Sequence, residues 1–424
     1  MFKKSLAAVA VLGAFAASSF AADVTFYGKV DMGLQYQNAE TTGFDGKKDT
    51  VEDLKLDSGV GLASRIGIKA TEDLGNGDKV AFNLEGDFNA DDGELAAENH
   101  LWQREASLSY IADWGTLYAG RYGSFSGAAG STDIVMSRVD VFDGGHKSVG
   151  LLSLGRMDNA ISYLSPKIAG FQAAAMYSFK NDSDETIGTK SVKTIEKALN
   201  ATEFKKVLNT TESTFASHEG HADANRYAGF AMTYDVGALQ TAISYEQLIR
   251  SDAVGNKSVE FDQAGFLAGA WGDTFTETTT DYGQALNDAK IVTFGASYDF
   301  DMFKLFGAAQ YFEGMDKVAN SKDAKVTFNE DGIEGYGLHL GTEFQALAGN
   351  FEFGMYYIDA TANGVKDRDG EYFGLNGRYI YKLSKRTELR SSIAYDHTEW
   401  EKLGEAQDWE KDRYLACVSL THNF

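Results

Sequence analysis

From Val24 to Tyr36 the chain alternates without a break. Val24, Phe26, Gly28, Val30, Met32, Leu34 and Tyr36 fall on one side of an extended chain, and Thr25, Tyr27, Lys29, Asp31, Gly33 and Gln35 fall on the other. Successive side chains of a strand point to opposite faces, so this is a strand with one apolar and one polar face. Val80, Phe82, Leu84, Gly86 and Phe88 repeat the pattern against Ala81, Asn83, Glu85 and Asp87. The C-terminus does so again, with Tyr414, Ala416, Val418, Leu420 and Phe424 against Arg413, Cys417, Ser419, Thr421 and Asn423; His422 falls on the apolar face. Similar segments begin near Ser58, Leu101, Gly115, Arg156, Gly170, Ala224, Ala238, Lys290, Met302, Ile333, Asn350, Glu371 and Arg386, which makes about sixteen strands.

Composition agrees with a chain committed to paired strands. One proline stands where an average chain of 424 residues would carry roughly 21, and proline is excluded from sheet interiors. A single cysteine, Cys417, rules out an internal disulfide framework and any CxxC motif. The formal charge of −23 argues against a nucleic-acid partner, because phosphate binding needs basic surface. Residues 1–21 read as a secretory signal peptide: Lys3 and Lys4, an apolar run from Leu6 to Ala17, and small residues at Ser19 and Ala21, with cleavage expected after Ala21. Its removal takes the charge from −23 to −25. No later stretch reaches the ~18 consecutive apolar residues of a membrane-spanning helix.

The connections alternate in length. Residues 72–79, 112–115, 165–170, 235–238, 299–301 and 383–387 are short; 38–57, 124–155, 181–223, 251–288 and 314–332 are long. Short turns at one end, long loops at the other and an even strand number define a transmembrane antiparallel β-barrel of about 16 strands over residues 22–424. Its polar face lines a water-filled lumen and its apolar face meets lipid. Tyr27, Tyr36, Trp102, Trp114, Tyr356, Tyr357, Tyr379 and Tyr381 suit interfacial aromatic girdles. Within 181–223, the spacing of Ile195, Leu199, Phe204 and Leu208 predicts a short helix over 194–209.

FYGKVDMGL (26–34), SRIGIKATEDLGNGDKVAFNLEGDF (64–88), GTLYAGRYG (115–123), RMDNAISYLSPKIAGF (156–171) and the terminal Phe424 together resemble the Gram-negative general porins. The resemblance implies a homotrimer of sixteen-stranded barrels in the bacterial outer membrane, with short periplasmic turns and with the third external loop, 124–155, folded into the lumen. It implies that Phe424 is read by the outer-membrane assembly machinery. It also implies a passive diffusion channel for small hydrophilic solutes and ions, in which cations on the barrel wall face acids on the loop. The sequence departs from enterobacterial members at SFSGAAGSTD (124–133), where a Pro-Glu-Phe-Gly-Gly stretch would stand.

Carried over by motif, the wall residues of the constriction are Lys29, Arg65, Arg104 and Arg156, and the loop residues are Asp133, Asp140 and Asp143. Alternation independently puts Lys29, Arg65 and Arg156 on the polar face; Arg104 shares parity with Leu108 and Tyr110, which leaves a bulge or a role outside the lumen open. A cation on the lipid face would cost about 2–4 kcal/mol at the midplane, which favours the lumen. The resemblance also implies that Arg121, in AGRYG, makes a structural contact with a loop of its own or a neighbouring subunit. The mature charge suggests a negative potential at the mouth and a modest cation preference, which the wall arginines oppose. No cofactor is implied. KDRDGEY (366–372) lacks a full calcium-loop frame, GYGLHLG (335–341) has the wrong glycine spacing for a dinucleotide site, and no GxSxG elbow or HExxH pair occurs. The reading is a channel rather than an enzyme; a substrate-specific channel and, further off, a barrel enzyme are the alternatives.

Overall fold

The computed structural model describes residues 24–97, 100–127, 130–142, 150–181, 186–196, 206–216, 218–251, 257–261, 274–281, 286–318, 324 and 326–424. The chain runs up and down through β1 (Thr25–Thr42), β2 (Lys48–Ser58), β3 (Arg65–Asp73), β4 (Lys79–Asp87), β5 (Glu105–Ala112) and β6 (Gly115–Gly123). After a one-turn helix, α1 (Met136–Val139), come β7 (Arg156–Leu164), β8 (Phe171–Ser178), β9 (Thr186–Glu196), β10 (Lys206–Ala216), β11 (Arg226–Val236), β12 (Leu239–Ile249), β13 (Lys257–Phe261) and β14 (Thr274–Asp281). The chain ends with β15 (Ala289–Asp299), β16 (Lys304–Met315), β17 (Ile333–Ala346), β18 (Gly349–Ala362), β19 (Arg368–Lys382), β20 (Thr387–Trp400) and β21 (Trp409–Asn423).

Seventeen of these strands form one antiparallel sheet that closes on itself where β1 pairs with β21, from Lys29↔Asn423 to Thr42↔Glu410. Closure removes every sheet edge inside the membrane, where an unpaired backbone group costs several kcal/mol. β2 and β3 share one position in the wall: β1 pairs with β2 along its upper part and with β3 along its lower part. The barrel is therefore sixteen-stranded with one strand broken in two. The segments 181–223 and 251–288 carry a separate four-stranded sheet, β10-β9-β14-β13.

Which face is buried is the reverse of a soluble sheet. Along β21, Tyr414, Val418, Leu420 and the terminal Phe424 are exposed, while Leu415, Cys417, Ser419 and Thr421 are buried. In β19, Leu375 is 45% exposed and Asn376 4%. A barrel-wide band of large apolar side chains on the outside fits hydrocarbon or a neighbouring subunit, and not water. At the short-turn end, outward rings form contact chains: Tyr110–Trp114–Tyr163, Tyr298–Phe300–Phe303 and Phe344–Phe351–Tyr379.

Three expectations need correction, and the alternation used to place Arg156 is broken within β7. Residues 38–57 are not one long loop: β1 and β2 pair as far as Thr42↔Lys48, because a ladder continues past the lipid wherever both strands have partners. No helix spans 194–209, since Thr194–Glu196 and Lys206–Asn209 pair in the β9–β10 hairpin; 197–205 lie outside the described residues. Tyr27 and Tyr356 are not girdle residues: Tyr27 bonds Asn83 and Glu85 inside, and Tyr356 is fully buried. Met157 faces the interior apolar cluster, because a positive φ of 49° at Asn159 interrupts the alternation of β7. The proposed leader, 1–21, lies outside the described residues.

Candidate functional site

Segment 124–155 leaves β6 and bonds to strands right round the interior. Ser131 gives its amide N–H (3.1 Å) and hydroxyl (2.6 Å) to the buried carboxylate of Glu105 on β5. Ser126 donates to Glu246 on β12 at 3.2 Å, and Tyr227 donates to the same carboxylate at 2.8 Å. Arg138 of α1 makes a forked ion pair with Asp235 at the short-turn end of β11, both bonds 3.0 Å. The Val141 N–H donates to Nε2 of His339 on β17 at 3.3 Å. That leaves the His339 Nδ1–H to be donated to the Met355 carbonyl at 3.1 Å. Leu152 and Gln310 of β16 exchange two bonds of 2.7 and 2.9 Å.

Between these fastenings the segment lies on its apolar side. Phe125, Ile134, Val135, Met136, Val139, Val141 and Phe142 are buried against a wall of small residues, Ala160, Ala174, Ala231, Ala242 and Ala308. Three wall glycines allow the closest approach. A Cβ on Gly295, Gly341 or Gly354 would come within 2.7, 2.6 or 2.8 Å of Val139, Val141 or Phe142 respectively. A strand glycine commonly marks such a close approach.

The opposite wall is charged. Lys29, Arg65 and Asp87 stand in register on β1, β3 and β4. Arg104 binds Glu85 at 2.6 Å and Asp87 at 3.1 Å, and Arg65 reaches Glu85 at 3.5 Å. Arg156 gives its Nε–H to the Arg104 carbonyl at 3.0 Å. The structure thus brings all four sequence-named wall cations together. The parity of Arg104 did not forbid this, because Arg104 precedes β5 and its N–H already bonds the Glu85 carbonyl. Arg121 bonds the Gln103 carbonyl in its own external loop, and Asp158.

Two cations complete the row in the other direction. Arg390 on β20 binds Glu388 at 2.7 Å, and Arg378 on β19 pairs with Glu352. The Arg378 guanidinium stands 5.1 Å over the ring of Phe142. Sequence reading missed both, although alternation carries the signal: Arg378 follows Asn376, and Arg390 precedes Ser392, on the inward face. The motifs that selected the other four end near residue 171.

The loop acids fare differently. Asp140 is 2% exposed and accepts from the Tyr356 hydroxyl at 2.8 Å, so it is an anchor between loop and wall and not a charge presented to water. Asp133 is half-buried and accepts from the Ser137 N–H. Asp143 lies outside the described residues. Phe424 exchanges backbone bonds with Gly28 (3.0 and 3.2 Å), and its ring meets Phe26 at 5.8 Å.

A closed barrel with a lipid-compatible outside and a charged, partly filled inside belongs to the class of channel-forming outer-membrane proteins. A family profile described as Gram-negative porin matches residues 7–400, and the chain belongs to that family. An outer membrane porin protein of Bordetella pertussis is 27% identical, over 93% of this chain and 94% of that one. Outer membrane porin protein 32 of Delftia acidovorans is 26% identical, over 93% and 89%. Among solved structures, an anion-selective porin from Comamonas acidovorans superposes with a TM-score of 0.58 at 21% identity, covering 95% of this chain and all of that one. An outer membrane protein of Vibrio cholerae, solved in trimer form, gives 0.52 at 15%, with 95% and 100% covered. The protein is thus a multi-pass outer-membrane diffusion channel. Family and relatives point to a channel rather than an enzyme.

Proposed function

We propose that segment 124–155 is the constriction of a general diffusion pore for small hydrophilic solutes and ions, and that the wall cations tip this pore toward anions. The observation that carries the reading is the row Arg378, Arg390, Lys29, Arg65, Arg104 and Arg156 along the inward side of neighbouring strands. A narrow zone selects by its radius and its charges. Glu85, Asp87, Glu352 and Glu388 offset part of this charge. Negative charge on external loops is screened beyond about 8–10 Å and acts weakly at the constriction. The anion-selective Comamonas porin has the same fold.

The chain is further proposed to lose residues 1–21 on export and to work as a homotrimer, the form in which the Vibrio cholerae relative was solved. Phe424 is proposed to be read by the assembly machinery at the end of β21. The deciding measurement is the reversal potential of single channels in a salt gradient, for the wild type and for Arg65→Ala with Arg156→Ala. The wild type should favour anions and the double variant should move toward cations. Equal reversal potentials would place those two arginines away from the narrow zone. Migration of the unheated protein in mild detergent tests the trimer.

A further inference from the structure

The break between β2 and β3 is not a simple kink. Positions paired between β1 and β2 sum to 90 (Met32↔Ser58), and those between β1 and β3 sum to 94 (Lys29↔Arg65). Four extra residues have therefore entered the strand, and 59–64 stand opposite only Val30 and Asp31. This excursion folds into the barrel. Its Gly61 N–H donates to Asp31 Oδ1 at 2.8 Å, and the Ser64 hydroxyl bonds the Asp31 backbone on both sides. Asp31 is itself inward-facing and fully buried, and Oδ2 accepts from Ser419 (2.9 Å) and Thr421 on β21. Val60 is fully buried.

The excursion touches the cation row at two points. The Ala63 carbonyl accepts from Arg65 Nε at 3.3 Å. A Cβ on Gly61 would come within 2.9 Å of the Arg390 side chain and 2.5 Å of the Ser419 hydroxyl. A barrel wall has no need of four extra residues at a position where both flanking ladders are regular; bulges re-aim side chains. We propose that residues 59–64 form a second lip of the water path, built from the wall opposite segment 124–155, and that it narrows the path and fixes Arg65 and Arg390 within it. This rests on the reading of the lumen as the conducting path.

Deleting residues 60–63 tests it. Removal of four residues returns both ladders to a common register and keeps Arg65 on the inward face, so the barrel can close as before. The variant, inserted into planar bilayers, should show a higher single-channel conductance and a changed reversal potential. A folded deletion variant with wild-type conductance and selectivity overturns the lip. Should the deletion prevent folding, Leu62→Cys in a Cys417→Ala background decides. Attachment of a small cationic thiosulfonate reagent at Leu62→Cys should lower the conductance, and complete labelling without any drop overturns the proposal. If the wild type itself carries no current, it is the diffusion-pore reading that fails, and not the lip alone.

Discussion

Two walls face each other across this barrel, and they are built from opposite materials. Between β7 and β18 many inward positions are alanine and glycine, with Glu246, Gln310, His339 and Tyr356 among them as anchors, and an apolar loop lies on them. From β19 through β21 and β1 to β5 they are arginines, lysine and carboxylates. The first wall has given up side-chain volume so that a loop can occupy the space, which makes it a packed interior. The second keeps its side chains, which pair with one another across neighbouring strands and which the proposed reading sets along the water path. A packed interior punishes added charge or volume, and a wet, ion-paired wall tolerates either.

An aspartate introduced against each wall should separate them most sharply. Val139→Asp would put a carboxylate without a partner between the loop and Gly295 of the wall, where burying an ion costs several kcal/mol. The loop should lift from the wall, with higher and noisier conductance and a lower thermal midpoint. Ser392→Asp, in register with Arg378, should leave both nearly unchanged. Equal damage from the two would mean that the walls do not differ as described.

Volume is the milder probe. Gly354→Val overfills the contact with Phe142 and Val141, and overpacking of this kind costs about 1–3 kcal/mol. Expected are faster proteolysis of segment 124–155 and altered conductance with the barrel intact. On the charged wall the effect moves to selectivity. Arg104→Ala releases two carboxylates, Glu85 and Asp87, whereas Arg156→Ala releases only a backbone carbonyl. The reversal potential should therefore shift further toward cations for Arg104→Ala, and an equal or reversed order would break the assignment of partners.

The smallest effect belongs to the external rim. The bond from Arg368 (2.8 Å), followed by the Leu403 N–H, holds the Glu405 carboxyl down at about 2. A lowered value contributes stability above the ordinary glutamate range near 4.3 and loses it as pH falls toward about 2. Amide protection in 401–408, taken relative to the intrinsic exchange rate at each pH, should thus hold steady from neutral pH to about 4.3 and fall only in stronger acid. Glu405→Gln should lower that protection at neutral pH, with no change in conductance.

By itself the sequence determined the barrel, a wall of about sixteen strands and which side of most of them meets lipid. Alternation is a local property of the backbone, so Val24 to Tyr36 could be sorted into two faces with no knowledge of any neighbour. The motifs yielded four of the cations now found together, three of which alternation also supports. Only the tertiary structure decided what those charges touch. Asp140 looks like Asp133 in a string of letters, and its burial depends on Tyr356, more than two hundred residues away. The glycines at 295, 341 and 354 have meaning only once a loop from elsewhere lies on them. The shift of four residues opposite Asp31 is a relation between two strands, and no single strand can display it. Facing is written in each segment; contact is settled only when distant segments compete for the same enclosed space.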